Sequence, residues 1–142
     1  MERLICPRVT WIVEGDAEGA LLVGREPLSF WGGLDPRTGE VIDRRHPLSG
    51  QRLTNRILAI PHGRGSCSAS GVLLEAICNG TGPLAIITSR IDPIIGLGAI
   101  LADELSGRVV PVAVLGADDF LELRSGDRVS LTVAGVMTVS RG

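Results

Sequence analysis

The 142-residue sequence predicts an α/β domain: a partly parallel sheet with helices, plus a small barrel-like β portion. Three short apolar runs, residues 57–60, 84–88 and 109–115, alternate with two segments of helical period, which is the pattern of strands joined by crossover helices. The tail instead alternates apolar and polar residues between turn signals, as a hairpin does. An apolar fraction of 44% without low-complexity tracts supplies the core, and no internal repeat or linker breaks the chain, so residues 1–142 are expected to form a single domain.

From the N-terminus, Arg8–Val13 and Ala20–Val23 read as strands joined by a turn through Glu14-Gly15-Asp16. Pro27 to Leu48 reads as a long loop, because Phe30-Trp31-Gly32-Gly33, Asp35-Pro36, Thr38-Gly39 and His46-Pro47 are all turn signals. A loop of that length in a compact domain implies a use. Ile57–Ile60 is a buried strand. Ala69–Cys78 is a helix with Val72, Leu73, Ala76 and Ile77 inward and Asn79-Gly80 as its stop. Leu84–Thr88 is the next strand. Asp92-Pro93 then supplies an N-cap and a proline at the first helical position. Ile94, Leu97, Gly98, Leu101 and Leu105 recur at helical spacing up to Gly107, and Val109–Leu115 is the third buried strand. Leu121 and Leu123 precede the turn Ser125-Gly126-Asp127; Val129–Val133 and Val136–Val139 then pair across Ala134-Gly135.

Charge and composition narrow the function. A net charge of −2 provides no basic field for nucleic acid or an anionic membrane, and four aromatic residues make a poor base-stacking platform. No apolar run approaches the ~20 residues of a membrane span and no signal peptide is visible, so a cytoplasmic protein is expected. All fourteen basic residues are arginine, as a GC-rich bacterial genome would give, and without lysine there is neither a Schiff base nor a P-loop lysine. Cys6, Cys67 and Cys78 lack the paired spacing of a disulfide framework, a zinc site or an iron–sulfur site, so no metal ligands are assigned to this chain.

The densest chemistry lies in residues 61–71, Pro-His-Gly-Arg-Gly-Ser-Cys-Ser-Ala-Ser-Gly, between a strand and a helix. A glycine-serine turn there offers backbone N–H groups and hydroxyls to an anion at the helix N-terminus. A nucleotide loop is excluded, since neither GxxxxGK[ST] nor GxGxxG is present. A nucleophile elbow of the GxSxG type is missing as well. Two readings remain: a plain glycine turn, and an anion-handling catalytic loop. In the second, Arg64 clamps a carboxylate and one serine exchanges a proton, its alkoxide stabilised by helix N–H groups. His46 and His62, each beside a proline, read as a loop residue and a strand-end residue. Trp31 is either a core anchor or a partner-facing side chain, and Asp92 is a helix cap first and a support to the candidate site second.

These motifs carry a resemblance. Leu28-Ser29-Phe30-Trp31-Gly32-Gly33-Leu34-Asp35-Pro36, Gly39 to Asp43, His46-Pro47-Leu48, Gly63-Arg64-Gly65-Ser66-Cys67-Ser68, Val72-Leu73-Leu74-Glu75 and Asp92-Pro93 resemble the small, swivelling component of aconitase X enzymes over about residues 8–140. The resemblance implies a swivelling β/β/α domain and a hydro-lyase of two components, with the iron–sulfur cluster or iron held by the large subunit and none bound by this chain alone. At 142 residues the chain corresponds to the separate small subunit, inactive alone. Carried over by position, Ser66 is the proton acceptor. Arg64, Gly65 and Ser68 contact a small carboxylate substrate, and His62 and Ser70 take supporting roles. The family dehydrates cis-3-hydroxy-L-proline in bacteria and phosphomevalonate in archaea. His62 stands where a small residue is expected in the archaeal type, which favours the hydroxyproline substrate. Dehydration needs a base for the carbon acid beside the carboxylate and a Lewis acid for the departing hydroxyl, and the chain offers only the first. The rival reading is a swivelling phosphocarrier using His62.

Overall fold

A computed structural model describes residues 8–141. Nine strands and three helices follow one another among them: β1 Thr10–Val13, β2 Ala17–Val23, β3 Leu34–Asp35, β4 Glu40–Val41, β5 Arg56–Ala59, α1 Cys67–Asn79, β6 Ala85–Thr88, α2 Pro93–Ser106, β7 Val112–Val114, α3 Ala117–Leu121, β8 Arg128–Leu131 and β9 Met137–Ser140. The main sheet has the order β1-β7-β6-β5-β2-β8-β9. Its four central strands, β7, β6, β5 and β2, run parallel, whereas β1, β8 and β9 join antiparallel. A bridge between Arg8 and Val136 and a bond from Val9 N–H to the Gly135 carbonyl bring the two edges of the sheet together, so the partly parallel sheet as a whole curls into a half-barrel.

Parallel strands bury both faces, and alternate residues of each strand enter two separate cores. Leu22, Leu58, Ile60, Ile86 and Val112 face α1 and α2, while Leu21, Ile57, Ala59, Ala85 and Ile87 face the barrel interior with Phe120, Val129, Leu131, Met137 and Val139. The consecutive apolar runs of β5 and β6 thus have a physical cause. β6 is buried along its whole length.

Three expectations need correction. First, β1 and β2 form no hairpin. β2 has both edges occupied, by β5 and by β8, so β1 crosses to the free edge of β7 with Thr10 opposite Val114. Second, residues 27–48 are not merely loop. Leu28, Phe30, Leu34, Val41 and Leu48 are buried against α1 and the sheet, with the small hairpin β3–β4 between them. The double glycine of this segment is steric as well as conformational: a Cβ on Gly33 would stand 2.0 Å from the Ser29 carbonyl oxygen, and Gly32 has φ of +76°. Third, the 109–115 strand shortens to β7, because Pro111 has no N–H for the ladder and Val109 lies exposed. Residues 117–121 add the short helix α3, with Asp118 and Asp119 in its first turn, where negative charge complements the helix dipole.

α2 has its expected cap, the Asp92 carboxylate accepting from Ile94 and Ile95 N–H, and Pro93 at its start. Its inward face is made of Ile95, Gly96, Gly98, Ala99 and Ala102, and its leucines point outward. Small residues are required there because α1 lies against it: a Cβ on Gly98 would stand 3.0 Å from the Ser70 carbonyl oxygen. None of the described helices is long and apolar enough to cross a membrane.

Candidate active site

The C-terminal ends of parallel strands in an open α/β sheet are where backbone loops converge and ligands bind. Three loops meet there in this domain. The β5–α1 loop, residues 60–66, runs beside residues 24–31 through a parallel bridge between Leu28 and Gly63, with Arg64 N–H donating to the Leu28 carbonyl at 3.0 Å. The β6–α2 loop is tied to the same segment, since Ser89 N–H donates to the Pro61 carbonyl at 3.1 Å. Ser29 Oγ lies 3.5 Å from where a Gly65 Cβ would stand, and its hydroxyl donates to the Trp31 carbonyl at 2.9 Å. The FWGG segment is therefore docked on the serine loop, with Phe30 buried and Trp31 65% exposed beside it.

Ser66 is the N-cap of α1. Its backbone is extended (φ −95°, ψ −171°), its Oγ accepts from Ser68 N–H at 3.4 Å, and the residue is exposed. Gly65, with φ of +111°, makes the turn that swings Ser66 out of the strand direction. The hydroxyl thus stands in the field of the unsatisfied N–H groups of a thirteen-residue helix, which stabilises negative charge on its oxygen. Arg64 is exposed, and its guanidinium has no partner among the described residues. Ser68 is exposed on the first turn of α1.

The remaining candidates are engaged elsewhere. Ser70 is buried and donates its hydroxyl to the Ile94 carbonyl at 2.8 Å, which fastens α1 to α2. His62 is half-buried, and its Nδ1–H donates to the Gly63 carbonyl at 2.5 Å. A carbonyl can only accept, so that nitrogen holds the ring proton. His46 is buried: Nδ1 accepts from Leu48 N–H at 3.1 Å and Nε2–H donates to the Glu26 carbonyl at 3.0 Å. Both ring nitrogens are consumed, so His46 is a buried brace. His46→Ala is expected to destabilise the domain by about 2–3 kcal/mol through the lost packing and the unpaired Leu48 N–H, measurable by denaturant unfolding.

Asp92 does more than cap α2. Its second carboxylate oxygen accepts from Gly63 N–H at 2.6 Å, three residues before Ser66, so one buried side chain sets both the start of α2 and the course of the serine loop. The sequence signal for this was limited to the Asp-Pro cap; the bond to Gly63 joins positions 29 residues apart. Among the described residues no group of three or more His, Cys, Asp or Glu side chains could hold a metal. Cys78 is unpaired and half-buried on α1, and Cys6 lies outside the described residues. The described donors therefore do not fit an iron ion or an iron–sulfur cluster.

A curled α/β sheet that presents a serine-capped helix at the C-terminal ends of its parallel strands defines a half-barrel domain with one polar end. The aconitase X swivel domain model matches residues 7–139, and the chain belongs to that family. Among its relatives, the cis-3-hydroxy-L-proline dehydratase of Hypocrea jecorina is 51% identical over 133 residues, covering 94% of this chain and 22% of that protein. The Pseudomonas aeruginosa enzyme of the same name is 58% identical over 113 residues, 80% of this chain and 19% of that protein. The chain thus spans about a fifth of the length of these two relatives. The phosphomevalonate dehydratase small subunit of Methanopyrus kandleri is 41% identical, covering 89% of this chain and 90% of that protein. The crystal structure of aconitase X from Thermococcus kodakaraensis in its holo-form superposes with a TM-score of 0.85 at 32% identity, over 97% of this chain and 99% of that one.

Proposed function

We propose that this domain is the swivelling component of an aconitase X-type dehydratase, that Ser66 is its proton acceptor, and that its substrate is cis-3-hydroxy-L-proline. The observation that carries the reading is the placement of Ser66: an exposed hydroxyl at a helix N-cap, on the end of the sheet where three loops converge. The hydroxyproline assignment is supported by identities of 51% and 58% to dehydratases of that name, against 41% to the Methanopyrus small subunit.

The chemistry follows from the cap. A neutral serine is a poor base, so Ser66 acts as alkoxide, held by the N–H groups of the first turn of α1. Its oxygen takes the proton from the carbon beside the substrate carboxylate. The electron pair of that C–H bond becomes the new C=C bond as the hydroxyl leaves the neighbouring carbon with its own pair. Arg64, two residues before the base, pairs with the carboxylate and makes the carbon acid more acidic. Departure of the hydroxyl is left to a larger component, where the iron–sulfur cluster or iron is expected. Closure of this domain over that component would exclude water from the alkoxide.

The direct test combines the chain with its larger component and follows dehydration of cis-3-hydroxy-L-proline and of phosphomevalonate. Turnover of the first is expected. Consumption of phosphomevalonate alone would move the chain to the archaeal activity, and phosphotransfer to His62 in place of either would replace the dehydratase reading.

A further inference from the structure

Beside the serine loop lies a cavity of about 550 Å³ walled by Glu26, Asp43, Arg44, Arg45, His46 and Arg64. The volume is that of a small-molecule site. Hydrogen bonds brace the backbone of its walls. Asp43 Oδ1 accepts from Arg45 N–H at 3.0 Å and the Asp43 carbonyl from His46 N–H at 3.1 Å, forming a tight turn that displays Arg44 and Arg45 side by side. The buried His46 ties that turn to the Glu26 backbone, and the Leu28–Arg64 bond ties on the third wall. Glu26, Arg44, Arg45 and Arg64 are exposed, and none makes a side-chain ion pair among the described residues. Three arginines and two acidic residues thus line one cavity in a protein whose net charge is −2.

Charges of both signs around one cavity complement a ligand that carries both signs. We propose that this cavity is a subsite for a zwitterionic amino or imino acid, with the ligand carboxylate held by Arg44, Arg45 and Arg64 and its cationic nitrogen by Glu26. The planar guanidinium fork suits a carboxylate, while Glu26 and Asp43 repel a ligand that carries only negative charge, such as a phosphate dianion. Arg64 stands two residues from Ser66, no more than about 7 Å along the chain, so a ligand seated here reaches the proposed base. This assignment deepens the dehydratase reading and rests on it for the turnover measurement alone; binding is measured separately.

The test titrates the full chain with L-proline, which lacks a hydroxyl to lose, and in parallel with acetate and inorganic phosphate, following backbone and arginine side-chain N–H resonances. L-Proline is expected to shift residues 26–28, 43–46 and 63–65 at lower concentration than either anion. The double variant Arg44→Gln/Arg45→Gln should weaken proline binding about tenfold or more. Glu26→Gln should weaken proline severalfold while leaving acetate unchanged or improved. These side chains are exposed, so melting temperatures should stay near that of the parent. In the assembled enzyme the arginine variants should raise KM about tenfold with a smaller change in kcat. Retained proline binding by a Ser66→Gly chain without turnover would separate the subsite from the base. Acetate or phosphate binding as tightly as proline with Glu26→Gln silent, the absence of any proline-induced shift, or arginine variants that weaken only assembly with the larger component would each overturn the proposal.

Discussion

Ser66→Gly is expected to lower kcat of the assembled enzyme by about 10³-fold, within the range for a positioned acid–base group, while KM and assembly change little. Glycine is the informative replacement. Ser66 also caps α1, and an alanine there would cost about 1 kcal/mol of stability, whereas glycine costs only a few tenths. A loss of turnover at an unchanged melting temperature would therefore report the missing oxygen rather than a frayed helix. Exchange of the substrate's α-proton with solvent deuterium should vanish in the same variant. If Ser66→Gly keeps near-normal turnover in an intact complex, the base is another group, and Ser68 on the exposed first turn is the next candidate.

Asp92→Ala is expected to be the most destabilising change at this end of the sheet. It removes the cap of α2 and leaves Gly63 N–H without its acceptor. Together these losses amount to about 2–4 kcal/mol, or a fall of roughly 10 °C in melting temperature for a domain of this size. Asp92→Asn separates the two roles. Its amide oxygen can still accept from Ile94 and Ile95, but an NH2 group then faces Gly63 N–H, donor against donor. Much of the stability should return while kcat stays low, because the course of the loop before Ser66 is no longer held. Equal recovery of stability and kcat in Asp92→Asn would show that Asp92 acts on the helix alone.

The unit from β5 to β7 was legible in the sequence because its signals are local. Apolar runs give buried strands, Asp92-Pro93 starts one helix, and Asn79-Gly80 and Gly107 stop two. Pairing was not legible. Alternation identifies which face of β1 is buried but not which strand it meets, and only the full occupancy of β2 sends it to β7. The orientation of α2 was hidden for a different reason: close approach to α1 selects glycine and alanine, so the more hydrophobic residues mark its outer face. Within the site, the cap position of Ser66 could be read from a strand–turn–helix pattern. The convergence of Glu26, Arg44, Arg45 and Arg64 could not, because it depends on a buried histidine bonding across twenty residues.

The meeting of the sheet's two edges governs how the molecule must fold. Thr10 pairs with Val114, and Arg8 with Val136, so the first strand waits for partners more than a hundred residues later. Such pairings incur their loop-closure entropy before any contact repays it, and they place this domain among slow folders, in the millisecond-to-second range, despite its modest length. A chain emerging from the ribosome can assemble the central parallel strands early, yet the barrel interior stays open until β8 and β9 arrive. Leu21, Ile57 and Ile87 would line that open trough, a sticky surface until synthesis has passed β9.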